Sequence, residues 1–241
     1  MNIDNKPAVI LIAPQMGENI GAAARGMLNF GLTDLRIVNP RDGWPNPKAV
    51  DMAKGAKDVI KNAKIFTSLK DATHDITRLY ATTARTRDMV KKEYDARQTA
   101  NQILNNDGKS AIMFGPERSG LNNDDITLAD AVTIIPVAPI YTSLNLSQAV
   151  NIMCYEWFVA QSESAVVDAD DGNQANHLAT KEDLANLFEH LESELDKTDF
   201  LKIPDKRPKM VRNIRNIFSR NDMTEQEVRT LRGIIKSLTN R

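Results

Sequence analysis

Three short segments of the sequence combine polar or charged residues with glycines or prolines. Asn19 and Arg25 lie in NIGAAARG, and Glu117 lies in FGPERSGL. Ser143 and Asn145 lie in APIYTSLN, directly before a helical pattern. Amide, hydroxyl and carboxylate groups can orient a small polar ligand, and a guanidinium can stabilise a negative charge that develops during a reaction. Because a guanidinium keeps its proton at neutral pH, Arg25 is a poor general base.

Each of these five residues also has an ordinary structural explanation. Serine and asparagine commonly cap helices, a carboxylate in a turn can do the same, and a helical arginine can simply be exposed. For serine, asparagine and arginine taken singly, the structural role is the more common one. The three segments taken together, in this order along the chain, favour a functional site.

Apolar runs of strand length alternate with helical patterns along residues 1–161. This alternation predicts an α/β fold, with a mostly parallel sheet and helices on both faces. Open α/β sheets bind ligands beyond the carboxyl ends of their strands. The segments that begin at Arg85 and Gly115 follow directly after strands, so we expect them at such a site. The six predicted strands cover residues 8–13, 34–39, 63–68, 79–84, 111–114 and 131–137.

Helical patterns separate these strands at residues 19–30, 49–60 and 68–76, and a further helix follows the last strand. Asn19 is predicted to cap the first helix, and Thr142 and Ser143 are predicted to start the last one. Apolar residues recur at three- and four-residue steps along that last helix, which predicts one buried face. They are Leu146, Ala149, Val150, Met153 and Trp157.

The composition excludes several classes of protein. Hydrophobic residues make up 41% and charged residues 26% of the chain, as is usual for globular proteins. No apolar run approaches the ~20 residues of a membrane span and no signal peptide is recognisable, so we expect a cytoplasmic protein. The single cysteine, Cys154, excludes an internal disulfide and is expected to be buried and unreactive. The histidines show no metal-ligand spacing, so no metal is expected.

The last eighty residues divide into an acidic and a basic half. Residues 162–201 contain eleven acidic and two basic residues, whereas residues 202–241 contain eleven basic and four acidic residues. Residues 162–180 are small, polar and acidic, which predicts a flexible linker. Helical periodicity over residues 181–241 predicts a small helical extension. Its basic end, which includes Arg212 and Arg215, suits a polyanionic partner.

In their order and separation, the three segments resemble the motifs of the SpoU (TrmH-like) family of RNA ribose methyltransferases, part of the SPOUT superfamily. Asn19, Gly21 and Arg25 match the family pattern N-x-G-x-x-x-R, although Gly26 stands where alanine is more usual. Residues 114–121 match every defining position of FGxExxGL. Residues 82–85, TTAR, depart conservatively from a Thr-Ser-Ala-Arg-like segment. The resemblance implies a deep trefoil knot and a homodimer.

The resemblance also implies a reaction and a set of site residues. The reaction is transfer of a methyl group from S-adenosylmethionine to a ribose 2′-oxygen. Arg25 is implied as catalytic, together with Asn19, Glu117, Ser143 and Asn145. Backbone loops are implied to hold the cofactor, at Thr82, Thr83, Ala84, Gly115, Ile135, Val137, Thr142, Ser143, Leu144 and Asn145. Contacts with RNA phosphates are expected from Arg25, Arg85, Arg87, Arg212 and Arg215.

The identity of the proton acceptor stays open. Arg25 as an electrostatic stabiliser, with a substrate phosphate or Ser143 and Asn145 helping to accept the proton, is favoured over a deprotonated Arg25. The RNA target has alternatives too. The C-terminal extension resembles that of members that methylate a pyrimidine ribose at the start of the tRNA anticodon loop. Ribosomal RNA, another tRNA position, or a non-enzymatic RNA-binding protein are the alternatives. A dinucleotide dehydrogenase is excluded because G-x-G-x-x-G is absent, and Ile103 replaces the glycine that a P-loop requires.

Overall fold

The structure is a computed structural model that describes residues 6–84, 90–164 and 178–239. Its centre is a seven-stranded sheet with the strand order β3-β2-β1-β6-β4-β7-β5. Every pairing is parallel, which confirms the predicted α/β class. The strands are β1 Ala8–Ile12, β2 Leu35–Val38, β3 Lys64–Phe66, β4 Arg78–Thr82, β5 Lys92–Tyr94, β6 Ser110–Phe114 and β7 Ala131–Thr133.

Helices cover both faces of the sheet, as the sequence predicted. On β1, Val9 and Leu11 face one apolar cluster, whereas Ala8, Ile10 and Ile12 face the other. Such a strand is buried on both sides and therefore reads as a continuous apolar run. The helices are α1 Gly17–Asn29, α2 Pro47–Ala53, α3 Lys57–Lys61, α4 Leu69–Ala72, α5 Ala96–Leu104, α6 Asn123–Leu128, α7 Leu146–Ser164, α8 Lys181–Leu195, α9 Arg207–Ser219 and α10 Glu225–Thr239.

Two predicted helix starts are wrong. α1 begins at Gly17 after Met16, so Asn19 lies inside the first turn instead of capping it. α7 begins at Leu146, later than Thr142 and Ser143 predicted. The oxygen Oδ1 of Asn145 accepts the backbone N–H of Ser147 at 2.9 Å. The two errors have different causes. At α1 the preceding residue, Met16, has no capping side chain, and Asn19 donates to Glu117 instead. At α7 several residues that can cap a helix stand close together, and Asn145 is the one used.

Other predicted elements are shorter or were missed. The helix predicted at 49–60 is divided into α2, a 3₁₀ turn and α3, and Lys54 at the division has φ of +49°. The helix predicted at 68–76 is only α4. The sequence did not predict β5 or α5, although Asp95 and Gln98 form a capping box at the start of α5.

The apolar face predicted for α7 is confirmed, since Leu146, Val150, Met153 and Trp157 are buried. Cys154 is also buried, and burial raises the pKa of its thiol to about 12. Such a thiol is not a nucleophile at neutral pH.

The C-terminal helices α8, α9 and α10 share a small core formed by Leu184, Leu187, Phe188 and Val228. The apolar residues Ile234 and Leu238 of α10 lie outside this core and are 49% and 66% exposed.

The predicted linker of residues 162–180 is too long at both ends. α7 continues to Ser164. Leu178 forms a β-bridge with Thr224, and Ala179 is 2% exposed. The remaining residues of that prediction, 165–177, lie outside the described residues.

Candidate active site

A cleft of about 210 Å³ opens at the carboxyl ends of β4, β6 and β7. Eight of the ten residues predicted to hold a cofactor line it: Thr82, Thr83, Ala84, Gly115, Ile135, Thr142, Ser143 and Leu144. Val137 and Asn145 do not line it. The cleft therefore gathers backbone segments that are far apart in the sequence, at the edge of the sheet where α/β folds bind ligands.

Two glycines shape the loop after β6. A Cβ atom on Gly115 would overlap the backbone of Gly120 and Leu121, so only glycine allows the two ends of this loop to approach. Gly120 has φ of +67°, in the left-handed region that favours glycine. The loop folds back on itself and forms one wall of the cleft.

Glu117, in this loop, accepts hydrogen bonds from the start of α1, about a hundred residues away. Its Oε2 accepts the backbone N–H of Gln15 at 2.8 Å, and its Oε1 accepts that of Met16 at 3.2 Å. Oε1 also accepts from Nδ2 of Asn19 at 2.8 Å. A carboxylate near a helix N-terminus is favoured by the unpaired N–H groups there. Glu117 therefore ties the cleft loop to α1.

The network continues from Asn19 to the segment before α7. Nδ2 of Asn145 donates to Oδ1 of Asn19 at 3.0 Å, while Oδ1 of Asn145 accepts from the backbone N–H and the hydroxyl of Ser147. The structure thus connects one residue from each of the three sequence motifs, Glu117, Asn19 and Asn145. Within this network Asn19 and Asn145 act on each other and on the backbone, so they position the loops around the cleft.

Arg25 is exposed on α1 and does not line the cleft. No described residue forms a hydrogen bond or an ion pair with it. On the same helix, Ala22 borders a second, shallow depression with Leu144, which also lines the cleft. Residues of α7, Ser147, Gln148, Asn151 and Ile152, complete that depression.

Gly26 is accounted for by close packing between α1 and α7. A Cβ atom at this position would lie 2.8 Å from Oδ1 of Asn151. The glycine that replaces the more usual alanine therefore makes room for Asn151 in this chain, and the departure leaves the exposed position of Arg25 unaffected.

Arg118 was not identified from the sequence as a site residue. It is exposed, lines the cleft and has no hydrogen-bond or ion-pair partner among the described residues. Of the six described arginines before residue 165, Arg36, Arg41, Arg78 and Arg97 contact carboxylates, and Arg25 and Arg118 do not. The position of Arg118 next to Glu117 in the second motif was the signal that could have revealed it.

The arginines predicted to contact RNA have different positions. Arg85 and Arg87 lie outside the described residues. Arg212 on α9 pairs with Asp124 on α6 at 3.2 Å. Arg215 forms two hydrogen bonds with Glu192, at 2.7 and 3.0 Å, and lies over the ring of Phe188. Arg215 therefore holds α9 to α8.

No described helix is long and apolar enough to cross a membrane. Among residues 6–84, 90–164 and 178–239, no group of three or more His, Cys, Asp or Glu side chains is placed to hold a metal ion.

Comparison with known proteins gives two family matches. Residues 6–155 match the SpoU rRNA Methylase family, and residues 182–241 match the tRNA methyltransferase TrmJ C-terminal domain. The chain is 33% identical over 241 residues to the tRNA (cytidine/uridine-2′-O-)-methyltransferase TrmJ of Salmonella typhimurium, with 95% of each chain covered.

Solved structures give similar results. The chain is 42% identical to TrmJ from Z. mobilis ZM4, with a TM-score of 0.88 and with 96% of this chain and 98% of that chain covered. The SpoU methyltransferase AviRb from Streptomyces viridochromogenes, in complex with AdoMet, shares the fold at 22% identity and a TM-score of 0.52, over 66% of this chain and 62% of that chain.

Proposed function

The chain belongs to the SpoU methylase family, and from this premise we propose that it transfers a methyl group from S-adenosylmethionine to a ribose 2′-hydroxyl of tRNA. The proposed target is a cytidine or uridine at the start of the anticodon loop. The observation that carries the proposal is the cleft whose walls are joined by Glu117, Asn19 and Asn145. Full-length similarity to a tRNA 2′-O-methyltransferase supports the substrate.

The residues of the cleft fit S-adenosylmethionine. Its walls carry hydroxyl groups and apolar side chains, and its charged residues are confined to the loop after β6. The hydroxyls belong to Thr82, Thr83, Thr133, Thr142, Ser143 and Ser119. The walls outside this loop are neutral, which suits a sulfonium that loses its charge during transfer. The one carboxylate that lines the cleft, Glu117, already accepts from the N–H groups of Gln15 and Met16, so it is not left unpaired afterwards. When bound, the cofactor supplies the electrophilic methyl group.

The chain's own residues would then act on the ribose. The guanidinium of Arg25 binds a substrate phosphate and stabilises the developing negative charge on the 2′-oxygen. Ser143, exposed at the cleft, would accept a hydrogen bond from the 2′-hydroxyl and take up its proton while giving its own hydroxyl proton to a substrate phosphate, which is the final acceptor. Glu117, Asn19 and Asn145 hold the loops in position, which lowers the barrier through orientation.

A homodimer completes the proposed site. α1 and α7 expose an apolar face on which the ring of Phe30 lies 5.8 Å from that of Tyr155 and 5.9 Å from that of Phe158. Leu28, Tyr155 and Phe158 are each more than 40% exposed there. Exposed apolar patches mark contact surfaces. Because Arg25 lies beside this face and does not line the cleft of its own chain, a second copy would place it against the partner cleft. We also propose that the chain forms the deep trefoil knot that its family resemblance implies.

The basic extension is proposed to bind tRNA. The ion pair between Arg212 and Asp124 places α9 beside α6, which directly follows the cleft loop. Lys206, which directly precedes α9, and Lys209 in its first turn are exposed, and no described residue pairs with their side chains. If they contact phosphates together with Arg118, affinity falls steeply as salt increases, because each contact releases counterions. A tRNA-modifying enzyme of this kind would act in the cytoplasm.

Ribosomal RNA is the second candidate substrate, because the matching family is described as rRNA methylases. The C-terminal match to a tRNA methyltransferase domain favours tRNA over it.

Transfer of a labelled methyl group to unmodified tRNA tests the proposal, with nucleoside mass spectrometry to identify the product. We expect a 2′-O-methylated pyrimidine in the anticodon loop with the wild type and none with Arg25→Ala. Arg97→Ala, which removes an exposed arginine of α5, is the matched control and should retain activity. Transfer to ribosomal RNA alone would contradict the tRNA assignment, and absence of both transfer and cofactor binding would favour a non-enzymatic RNA-binding protein.

A further inference from the structure

A buried ion pair joins the C-terminal extension to the sheet. Nζ of Lys181, the first residue of α8, lies 2.5 and 2.6 Å from the two carboxylate oxygens of Asp130. The two side chains are 6% and 9% exposed. Asp130 directly precedes β7, so the pair connects two parts of the chain that are 51 residues apart. Charged side chains are seldom buried this deeply unless they are paired.

Backbone hydrogen bonds fix both partners of this pair. The N–H of Lys181 donates to the carbonyl of Ile76 at 2.7 Å. The N–H of Leu79 donates to Oδ2 of Asp130 at 2.6 Å, and the N–H of Asp130 donates to the carbonyl of Leu79 at 2.8 Å. The two charges therefore meet in one orientation, which a contact between apolar side chains would not impose.

Further contacts from the extension surround the pair at the amino ends of the strands. Asp222, which precedes α10, pairs with Arg78 at 2.8 Å and with Lys92 at 3.4 Å. A second buried lysine, Lys91, donates to the carbonyls of Thr127 and Ala129. Asp130 is thus the carboxylate that pairs with Lys181, and it lies close enough to Lys91 to favour the charged form of that side chain.

The extension that this pair joins to the sheet also carries α9, which makes contacts of its own. Nδ2 of Asn216 donates to the carbonyl of Val90 at 3.1 Å, and Arg212, one turn earlier, reaches Asp124 at 3.2 Å. The later part of α9 therefore lies near the amino ends of the strands, and its earlier part lies beside α6. Its first residues, where Lys206 and Lys209 are located, lie at the end of α9 nearer the cleft.

We propose that the Lys181–Asp130 pair is a docking latch that holds the extension in one position on the sheet, and that tRNA binds productively only in this docked arrangement. Lys181 and Asp130 are thus positioning residues, since they lie at the end of the sheet opposite the cleft. The second half of this proposal rests on the proposed function. The first half, the docking itself, does not.

Two spin labels measure the docking directly. Lys57 on α3 and Lys236 on α10 are exposed, and each can be replaced by a labelled cysteine, while the native Cys154 is buried and does not react. We expect a narrow distance distribution in the otherwise unchanged protein and a broad one when Lys181→Met is added. A narrow distribution in the variant would overturn the latch.

Kinetics measure the consequence for tRNA. If docking falls to about a tenth of the molecules, the apparent KM and Kd for tRNA rise about tenfold, while kcat at saturating tRNA and the cofactor Kd stay unchanged. Lys197→Met is the matched control, because this exposed lysine, two residues after the end of α8, pairs only with the neighbouring Glu194. An unchanged tRNA KM and Kd, together with a broad distance distribution, would overturn the requirement for docking.

A double variant separates positioning from stability. Asp130→Asn added to Lys181→Met removes the stranded carboxylate but keeps an oxygen that can accept from Leu79. We expect Tm to recover while the tRNA KM stays raised; recovery of both would overturn the latch. If the wild type transferred no methyl group, the proposed function would fail, and the label distances and the tRNA Kd would still decide the latch.

Discussion

The two ends of the parallel sheet differ in how their charges are matched. At the carboxyl ends, Arg118 has no ion partner among the described residues, and Glu117 accepts only from neutral donors. Arg25, past the middle of α1, has no ion partner among these residues either. At the amino ends, Arg36 and Lys181 are both buried and both paired with carboxylates. The charges are paired where the chain holds itself together and unpaired where the proposed function requires an RNA phosphate to bind.

The amino-end cluster shows how strong this matching is. Arg36 donates to Asp34 and Asp75, and Lys109 contacts both. Burial alone would raise the pKa of Asp34, but hydrogen bonds from Arg36 and Lys109 lower it to about 2. The same partners hold the pKa of Asp75 well below its usual range against the effect of burial. These carboxylates are therefore ionised at every pH at which the protein would work.

Replacing Arg25, which has no ion partner among the described residues, or the buried and paired Arg36 gives the largest expected difference. Arg25→Ala should lower kcat by about 10²–10³-fold, because charge stabilisation in the transition state is lost, while Tm and the cofactor Kd stay unchanged. Steady-state kinetics, thermal unfolding and cofactor titration measure these three quantities.

Arg36→Met should do the opposite. It leaves Asp34 and Asp75 without their guanidinium, which should cost about 3–5 kcal/mol of unfolding free energy, with kcat per folded molecule unchanged. A loss of kcat in Arg36→Met as large as that in Arg25→Ala would break the comparison between the two ends.

Gly115→Ala should weaken cofactor binding. The added methyl group would overlap Leu121, and the shift that relieves such crowding typically costs about 1–3 kcal/mol. Because the loop forms a wall of the cleft, the cofactor Kd should rise by a corresponding factor in calorimetric titration. Gly55→Ala is the control, since a Cβ atom there meets nothing within 4 Å. Equal affinities in the two variants would mean that this loop does not hold the cofactor.

Glu117→Gln tests the connection between the motifs. The amide has one acceptor oxygen in place of two, so one of the donors Gln15, Met16 and Asn19 is left unpaired. Losing a hydrogen bond to a charged group costs about 1.5–3 kcal/mol, which should appear as lower Tm and lower kcat together. Glu194→Gln, which changes a carboxylate that pairs with the exposed Lys197 far from the cleft, is the control and should change neither. A fall in kcat without a change in Tm would assign Glu117 a direct chemical role.

The sequence predicted what depends on local pattern. The strands at residues 8–13 and 111–114 are continuous apolar runs, and the turns after them carry motif residues, so the cleft could be located without a structure. The strand β5 could not be predicted, because Lys92, Glu93 and Tyr94 form a three-residue edge strand with no apolar run.

The sequence also did not predict which carboxylate each basic side chain would pair with. Arg212 and Arg215 look alike in the sequence, yet Arg212 reaches Asp124 on α6 and Arg215 reaches Glu192 on α8. The pairing of Lys181 with Asp130 likewise depends on how two distant segments pack. The sequence shows which residues are charged, but local patterns do not predict which of these charges meet in the folded chain.

The smallest expected effect concerns Lys91 and the pH dependence of stability. Burial lowers the pKa of Lys91 to about 7, whereas a lysine in the unfolded chain titrates near ~10.4. Between about pH 7 and 10 the unfolded chain therefore holds a proton that the folded chain has released. The free energy of unfolding should rise with pH in this window, by at most ~1.4 kcal/mol per pH unit.

Lys91→Met removes this titration, so the difference between its unfolding free energy and that of the wild type should change with pH, as measured by urea unfolding at pH 7, 8 and 9. Burial also lowers the pKa of Lys181, and this gives a slope of the same sign that remains in the variant. The comparison of the two proteins therefore isolates Lys91. A difference that is constant from pH 7 to 9 would mean that Lys91 stays charged in its buried position. The carbonyls of Thr127 and Ala129, at 3.0 and 2.6 Å, would then stabilise the ammonium enough to offset its burial.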